Sequence, residues 1–176
     1  MTNNKKLDFD KIINIILFIS AIAGLLLGIF VSVKLDSSSS VSLMSIAGFL
    51  RFFTGNKNQM IIDIALHNSA IAILCLLLSF LSRGILGSVI LFFNSFIIGA
   101  VLCGVNSFQS FGFVFLEFLG ICLAAFIGTN LAKKRYKNNL ALFDILKRFG
   151  LLSLIIVIIY FLAAIIESNL LLNHWS

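Results

Sequence analysis

Apolar residues in this chain run on without a break where a soluble helix or a half-buried strand would interrupt them. Five such stretches occupy residues 12–33, 60–81, 85–105, 110–131 and 150–166. A helix rising about 1.5 Å per residue needs some 20 residues to cross the roughly 30 Å hydrocarbon core of a bilayer. The first four stretches reach that length. The fifth is the shortest, and Lys147 and Arg148 can snorkel to extend it. Barrel strands would alternate apolar and polar positions, which these runs do not. The pattern predicts an all-α membrane protein with five transmembrane helices, built as one integral membrane domain over residues 1–176.

Composition agrees with that pattern. Hydrophobic residues make up 60% of the chain and charged residues 11%, with a mean hydropathy of +1.12. These values exclude an ordinary soluble domain. The basic residues sort by side. Lys5, Lys6 and Lys11 precede the first run, Arg83 separates the second from the third, and Lys133, Lys134, Arg135, Lys137, Lys147 and Arg148 lie between the fourth and fifth. Against these ten stand Lys34, Arg51 and Lys57 on the other side. The positive-inside rule then puts the N-terminus in the cytoplasm and the C-terminus outside a bacterial cytoplasmic membrane. The net charge of +6 reads as a topology signal and as attraction to anionic lipid, not as a nucleic-acid footprint. The basic start and first run look like a signal peptide, but the run is long and no A-x-A site follows, so an uncleaved first span is expected.

The long outer loop, 34–59, opens on a flexible SSSS run. Leu43, Ile46, Ala47, Leu50 and Phe53 then recur at helical spacing, as in a short interfacial helix or one packed on the bundle. Small residues mark helix contacts. Ser20, Gly24, Gly28 and Ser32 recur every four residues, Gly99 lies in the third run, and Gly120, Ala124 and Gly128 lie in the fourth. Small-xxx-small spacing lets backbones approach closely. Cys75, Cys103 and Cys122 have no metal-ligand spacing and read as apolar packing residues; no metal or cofactor is expected.

The candidate chemistry lies within the hydrocarbon. Asp63, His67, Asn68, Asn94 and Glu117 interrupt lipid-length runs, and Glu167 closes the last. Each ionisable group near the bilayer centre costs roughly 2.5–3.5 kcal/mol on insertion scales, so it is kept where it faces protein, water or a ligand. His67 and Glu117 each sit seven residues from the outer end of their run, roughly 10 Å down at 1.5 Å per residue. Asp63 lies one turn above His67 on the same face. At 100° per residue Glu117 shares a face with Ala124 and Gly128, so it points into a helix contact. A polar pocket with a His67–Glu117 contact is the functional reading; interhelical hydrogen bonding is the structural one, and the sequence leaves both open. Asp63-x3-His67 with Glu117 offers three potential ligands, yet no H-E-x-x-H, G-x-S-x-G or Walker motif occurs. No catalytic residue is expected.

These residues carry a resemblance. FFNSFIIGA, at 92–100, resembles the N-G-F-x-x-G-x signature of the stage II sporulation protein M family of integral membrane proteins. HNSAIAILCLLLSFLSRGILG resembles that family's N-N segment followed by a glycine-containing turn. FLEFLGICLAAFIGTNLA resembles its H-G-x-x-E-x-x-A segment, with Glu117 as the acid, and FLAAIIES its A-A-x-I-E end, with Glu167 in place. The resemblance spans about 60–168. Departures mark a divergent, short member: Gly112-Phe113-Val114 stands for Pro-His-Gly, and Asn94-Ser95 for Asn-Gly. The resemblance implies two settings, the assembly of cell-wall-degrading enzymes in sporulation, or the maturation, export or immunity of circular bacteriocins. A non-catalytic scaffold or gate in a membrane complex is the expectation. A permease subunit served by a separate ATPase is the alternative, and an intramembrane hydrolase comes third. Partners expected are membrane lipid, other membrane proteins or an ATPase subunit, a peptide substrate and further copies of the chain, but not nucleic acid.

Overall fold

The computed structural model describes residues 9–36, 57–102, 108–138 and 141–173. These form five helices: α1 (Phe9–Asp36), α2 (Lys57–Leu81), α3 (Ile85–Leu102), α4 (Phe108–Asn138) and α5 (Leu142–Asn173). Four contain stretches long and apolar enough to cross a membrane, at Lys11–Lys34, Ile61–Leu81, Gly112–Lys137 and Phe143–Asn169. In α3 the apolar stretch is shorter, Ile85–Ala100. The 18 residues of α3 reach about 27 Å at 1.5 Å per residue, close to the core thickness. The interfacial helix expected within 34–59 lies outside the described residues.

Two helices outrun the apolar runs that announce them. Residues 132–149 read as a basic loop in the sequence, yet α4 continues to Asn138 and α5 begins at Leu142. Hydropathy ends where lipid ends, whereas the backbone stays helical while its hydrogen bonds are satisfied. Ala, Lys and Arg are good helix formers, and the chain has no proline to stop them. Arg135 and Lys137 in the last turn of α4 and Asp144 in the first turn of α5 also complement the helix dipoles.

Close backbone approach organises the bundle. A Cβ added at Gly24 would lie 2.3 Å from the Phe92 carbonyl oxygen, one at Gly28 2.0 Å from that of Phe96, and one at Gly99 2.2 Å from that of Leu25. Thus α1 and α3 touch along their backbones, and the ascending pairs Ile13–Gly84, Gly24–Phe92 and Gly28–Phe96 make them parallel. Gly128 packs the same way on the Leu76 carbonyl, so α4 lies along α2. Tyr160 covers Gly120, joining α5 to α4. The resulting core includes Leu17, Ala72, Cys75, Leu76, Leu91, Ile121, Ala124 and Ile156. Within their apolar windows α2 and α4 are each 39% buried, against 28% for α1 and 22% for α5. So α2 and α4 are central, and α1 and α5 turn broad apolar faces outward, Phe18, Leu26, Phe30, Leu151 and Leu154 among them.

The α2–α3 hairpin turns on three residues. Arg83 (φ 57°) and Gly84 (φ 101°) are left-handed, and the Gly84 N–H donates to the Ser79 carbonyl at 2.7 Å. This is a Schellman-type close, which satisfies a carbonyl the helix end leaves open. Ser82 Oγ accepts from the Leu86 N–H at 2.9 Å, capping the start of α3. Gly84 is also packed against Ile13 and Thr129, so the turn is wedged between α1 and α4. Arg83 stacks on Phe9 (5.0 Å to the centroid) and Tyr136 (4.8 Å). These cation–π contacts gather the start of α1, the hairpin turn and the end of α4 at one end of the bundle.

Candidate functional site

Ala65, Ser69, Ala72, Cys75 and Leu76 form the buried stripe of α2. Asn68 stands on that stripe, three residues after Ala65 and four before Ala72, so it faces α4. There its Nδ2 donates a hydrogen bond to Glu117 Oε1. Glu117 in turn sits on the α4 face that carries Ala124 and Gly128, buried against α2. From α5, the Tyr160 hydroxyl donates to the backbone carbonyl of Glu117 at 3.1 Å. One residue of α4 thus holds a side chain of α2 and a side chain of α5.

Beside this junction lies a cavity of about 120 Å³. His67 and Asn68 of α2, Asn94 and Ile97 of α3, Glu117 of α4 and Tyr160 of α5 line it. His67 and Ile97 are exposed, so it opens sideways between α2 and α3. The space suits a few water molecules or one polar side chain of a partner. Asn94 Nδ2 donates to the Ile90 carbonyl of its own helix at 3.1 Å, which leaves its amide oxygen for whatever enters.

The sequence-derived residues therefore separate. His67, Asn68, Asn94 and Glu117 share the cavity. Asp63 does not line it; it accepts from Gln59 Nε2 at 3.2 Å, one turn away on α2. Glu167 lies on α5 and does not line the cavity. Its Oε2 is buried and has no hydrogen-bond partner among the described residues. Glu117 takes its hydrogen bond from Asn68 and makes none with His67. Neighbouring helical residues are 100° apart, and the small-residue stripe of α2 turns Asn68, not His67, toward α4. Of the packing residues, Gly24, Gly28 and Gly99 join α1 to α3, Gly128 joins α4 to α2, Gly120 seats Tyr160, Ala124 is fully buried and Ser20 half-buried. Tyr160 is the site residue that sequence reading missed. Its signal was a tyrosine deep inside an apolar run, away from the interfacial position where tyrosine is enriched.

Among the described residues no group of three His, Cys, Asp or Glu side chains could hold a metal ion. Cys75 and Cys122 are free thiols, Cys75 fully buried.

A family model, SpoIIM (Stage II sporulation protein M), matches residues 15–170. The chain belongs to the SpoIIM family. The match takes in nearly the whole of every described helix, including most of α1, which lies ahead of the 60–168 stretch whose motifs carry the resemblance. No curated protein and no solved structure matches the chain. It is a SpoIIM-family membrane protein built of apolar helices, and Asn94, Glu117 and Glu167 lie within the matched region.

Proposed function

We propose that this SpoIIM-family protein is a non-catalytic component of a bacterial cytoplasmic membrane assembly, scaffolding or gating it for peptide maturation, export or immunity, or for cell-wall remodelling. It crosses the membrane five times, with its N-terminus in the cytoplasm and its C-terminus outside. The helix directions support this topology: α1 and α3 are parallel, and the pairs Asn68–Glu117 and Leu76–Gly128 ascend together, so α2 and α4 are parallel too.

The Asn68–Glu117 hydrogen bond carries the functional reading. The intramembrane carboxyl is occupied in fastening α2 to α4, and the cavity beside it opens sideways, where a helix of a partner could insert a polar side chain. Interhelical hydrogen bonds of this kind average roughly 0.6 kcal/mol and reach about 2, enough to bias a contact without locking it.

The test separates acceptor from charge. Glu117→Gln keeps a carbonyl oxygen for Asn68 and removes the carboxyl; Glu117→Leu removes both. A scaffold tolerates the first and loses co-purifying partners with the second. If Glu117→Gln abolishes activity while the assembly stays intact, the carboxyl itself is at work and the scaffold reading fails. That outcome would favour the second reading, a permease subunit with a separate ATPase, to which the buried Glu167 oxygen, without a hydrogen-bond partner among the described residues, lends support.

A further inference from the structure

The end of the bundle marked by Arg83 and Tyr136 holds a second cavity, apart from the Asn68–Glu117 site. It is a groove of about 340 Å³ between α4 and α5, within the roughly 300–1,000 Å³ of ligand clefts. Ile127 and Leu131 of α4 and Leu151 of α5 form its apolar wall, and Asn130, Lys134 and Arg148 form its polar part. Helical spacing brings these groups together. Ile127, Leu131 and Lys134 follow at i, i+4 and i+7, while Arg148 and Leu151 are three apart.

The two cations come from different helices and meet over one cleft. Both are exposed, and both line the same groove. Asp144, the acidic residue one turn from Arg148, is not part of the lining. Height follows from the spans: the membrane-crossing stretches of α4 and α5 end at Lys137 and begin at Phe143, and their uninterrupted apolar runs end at Leu131 and begin at Gly150. Lys134 and Arg148 thus stand near headgroup level, while Ile127, Leu131 and Leu151 reach into the hydrocarbon.

We propose that this groove is a binding site for one anionic phospholipid. Lys134 and Arg148 hold its phosphate, the Asn130 amide donates a further hydrogen bond, and an acyl chain lies along Ile127, Leu131 and Leu151. The guanidinium matches phosphate with a two-pronged fork and the ammonium adds a point charge. A soluble phosphate would use only the polar half of the groove, and an apolar peptide only the other; a phospholipid uses both. Basic pockets between membrane helices recognise anionic headgroups on the same grounds. The bound lipid bridges α4 and α5 at their connection and steadies the hairpin they form.

Native mass spectrometry of the full chain, released from detergent with phosphatidylglycerol or phosphatidylcholine, tests the assignment. One phosphatidylglycerol per chain is expected to be retained in preference to phosphatidylcholine. The pair Lys134→Gln/Arg148→Gln should weaken that retention by a factor on the order of thirty, taking about fivefold per cation near the surface. The pair Arg135→Gln/Lys147→Gln removes equal charge outside the groove and should leave retention within about twofold of the parent. Equal losses from both pairs, or equal retention of the two lipids, would overturn the proposal. So would displacement of phosphatidylglycerol by equimolar glycerol phosphate, since the apolar wall would then contribute nothing.

Discussion

A single hydrogen bond decides what Glu117 is to this molecule. Asn68 donates to Oε1 and Tyr160 donates to the backbone carbonyl of the same residue, so three helices meet there. Stranding a buried polar partner costs about 1–3 kcal/mol. Asn68→Leu and Glu117→Leu are each expected to lower stability by that order in a detergent unfolding assay. The double variant should cost less than their sum, by roughly 0.6–2 kcal/mol of coupling. Strict additivity would show that the two side chains do not interact. Tyr160→Phe removes only the hydroxyl and should cost about 0.5–1.5 kcal/mol, read in the same assay. The bond was partly legible in the sequence: Asn68 lies in the register of Ala65, Ala72 and Cys75, the small residues of α2. Which neighbouring helix that register faces is a tertiary matter, and so is the choice of Asn68 over His67.

At the scale of helices, glycine separates contact from open surface. Gly28 meets the Phe96 carbonyl, whereas Gly112 and Gly150 have nothing within 4 Å of an added Cβ. Gly28→Val should therefore force α1 from α3 and destabilise by about 1–3 kcal/mol or more. Gly112→Ala and Gly150→Ala should be neutral or stabilise by up to about 1 kcal/mol through helix propensity alone. Thermal unfolding of the three variants checks both directions, and similar losses in all three would contradict the packing described. The i, i+4 repeat of Gly24 and Gly28 made a contact face readable in the sequence. Gly99 likewise marked a contact on α3, but that these two faces meet each other was not readable, because small-xxx-small spacing carries no address.

For the whole molecule the expected order is five crossings with opposite termini. Reporter fusions placed after Ser176 and ahead of Met1 should report outside and cytoplasm respectively; both on one side would mean that α3, the short apolar helix, does not cross. The basic residues Arg83, Lys134 and Arg148 lie toward one end of the bundle through the Arg83 stack and the α4–α5 groove, the distribution on which the positive-inside argument depends.

Hydropathy alone was enough to establish apolar helices of membrane-crossing length, because burial in lipid needs no partner from elsewhere in the chain. Local motifs were enough for the family, since FFNSFIIGA, FLEFLGICLAAFIGTNLA and FLAAIIES sit within the matched residues 15–170. Helix ends were not legible, because the backbone of α4 and α5 stays helical past the point where hydropathy falls. Nor were Tyr160 at the junction, the separation of Asp63 from the cavity, or the groove shared by Lys134 and Arg148. Each of these depends on which faces of apolar-all-round helices meet, and only close packing between them decides that.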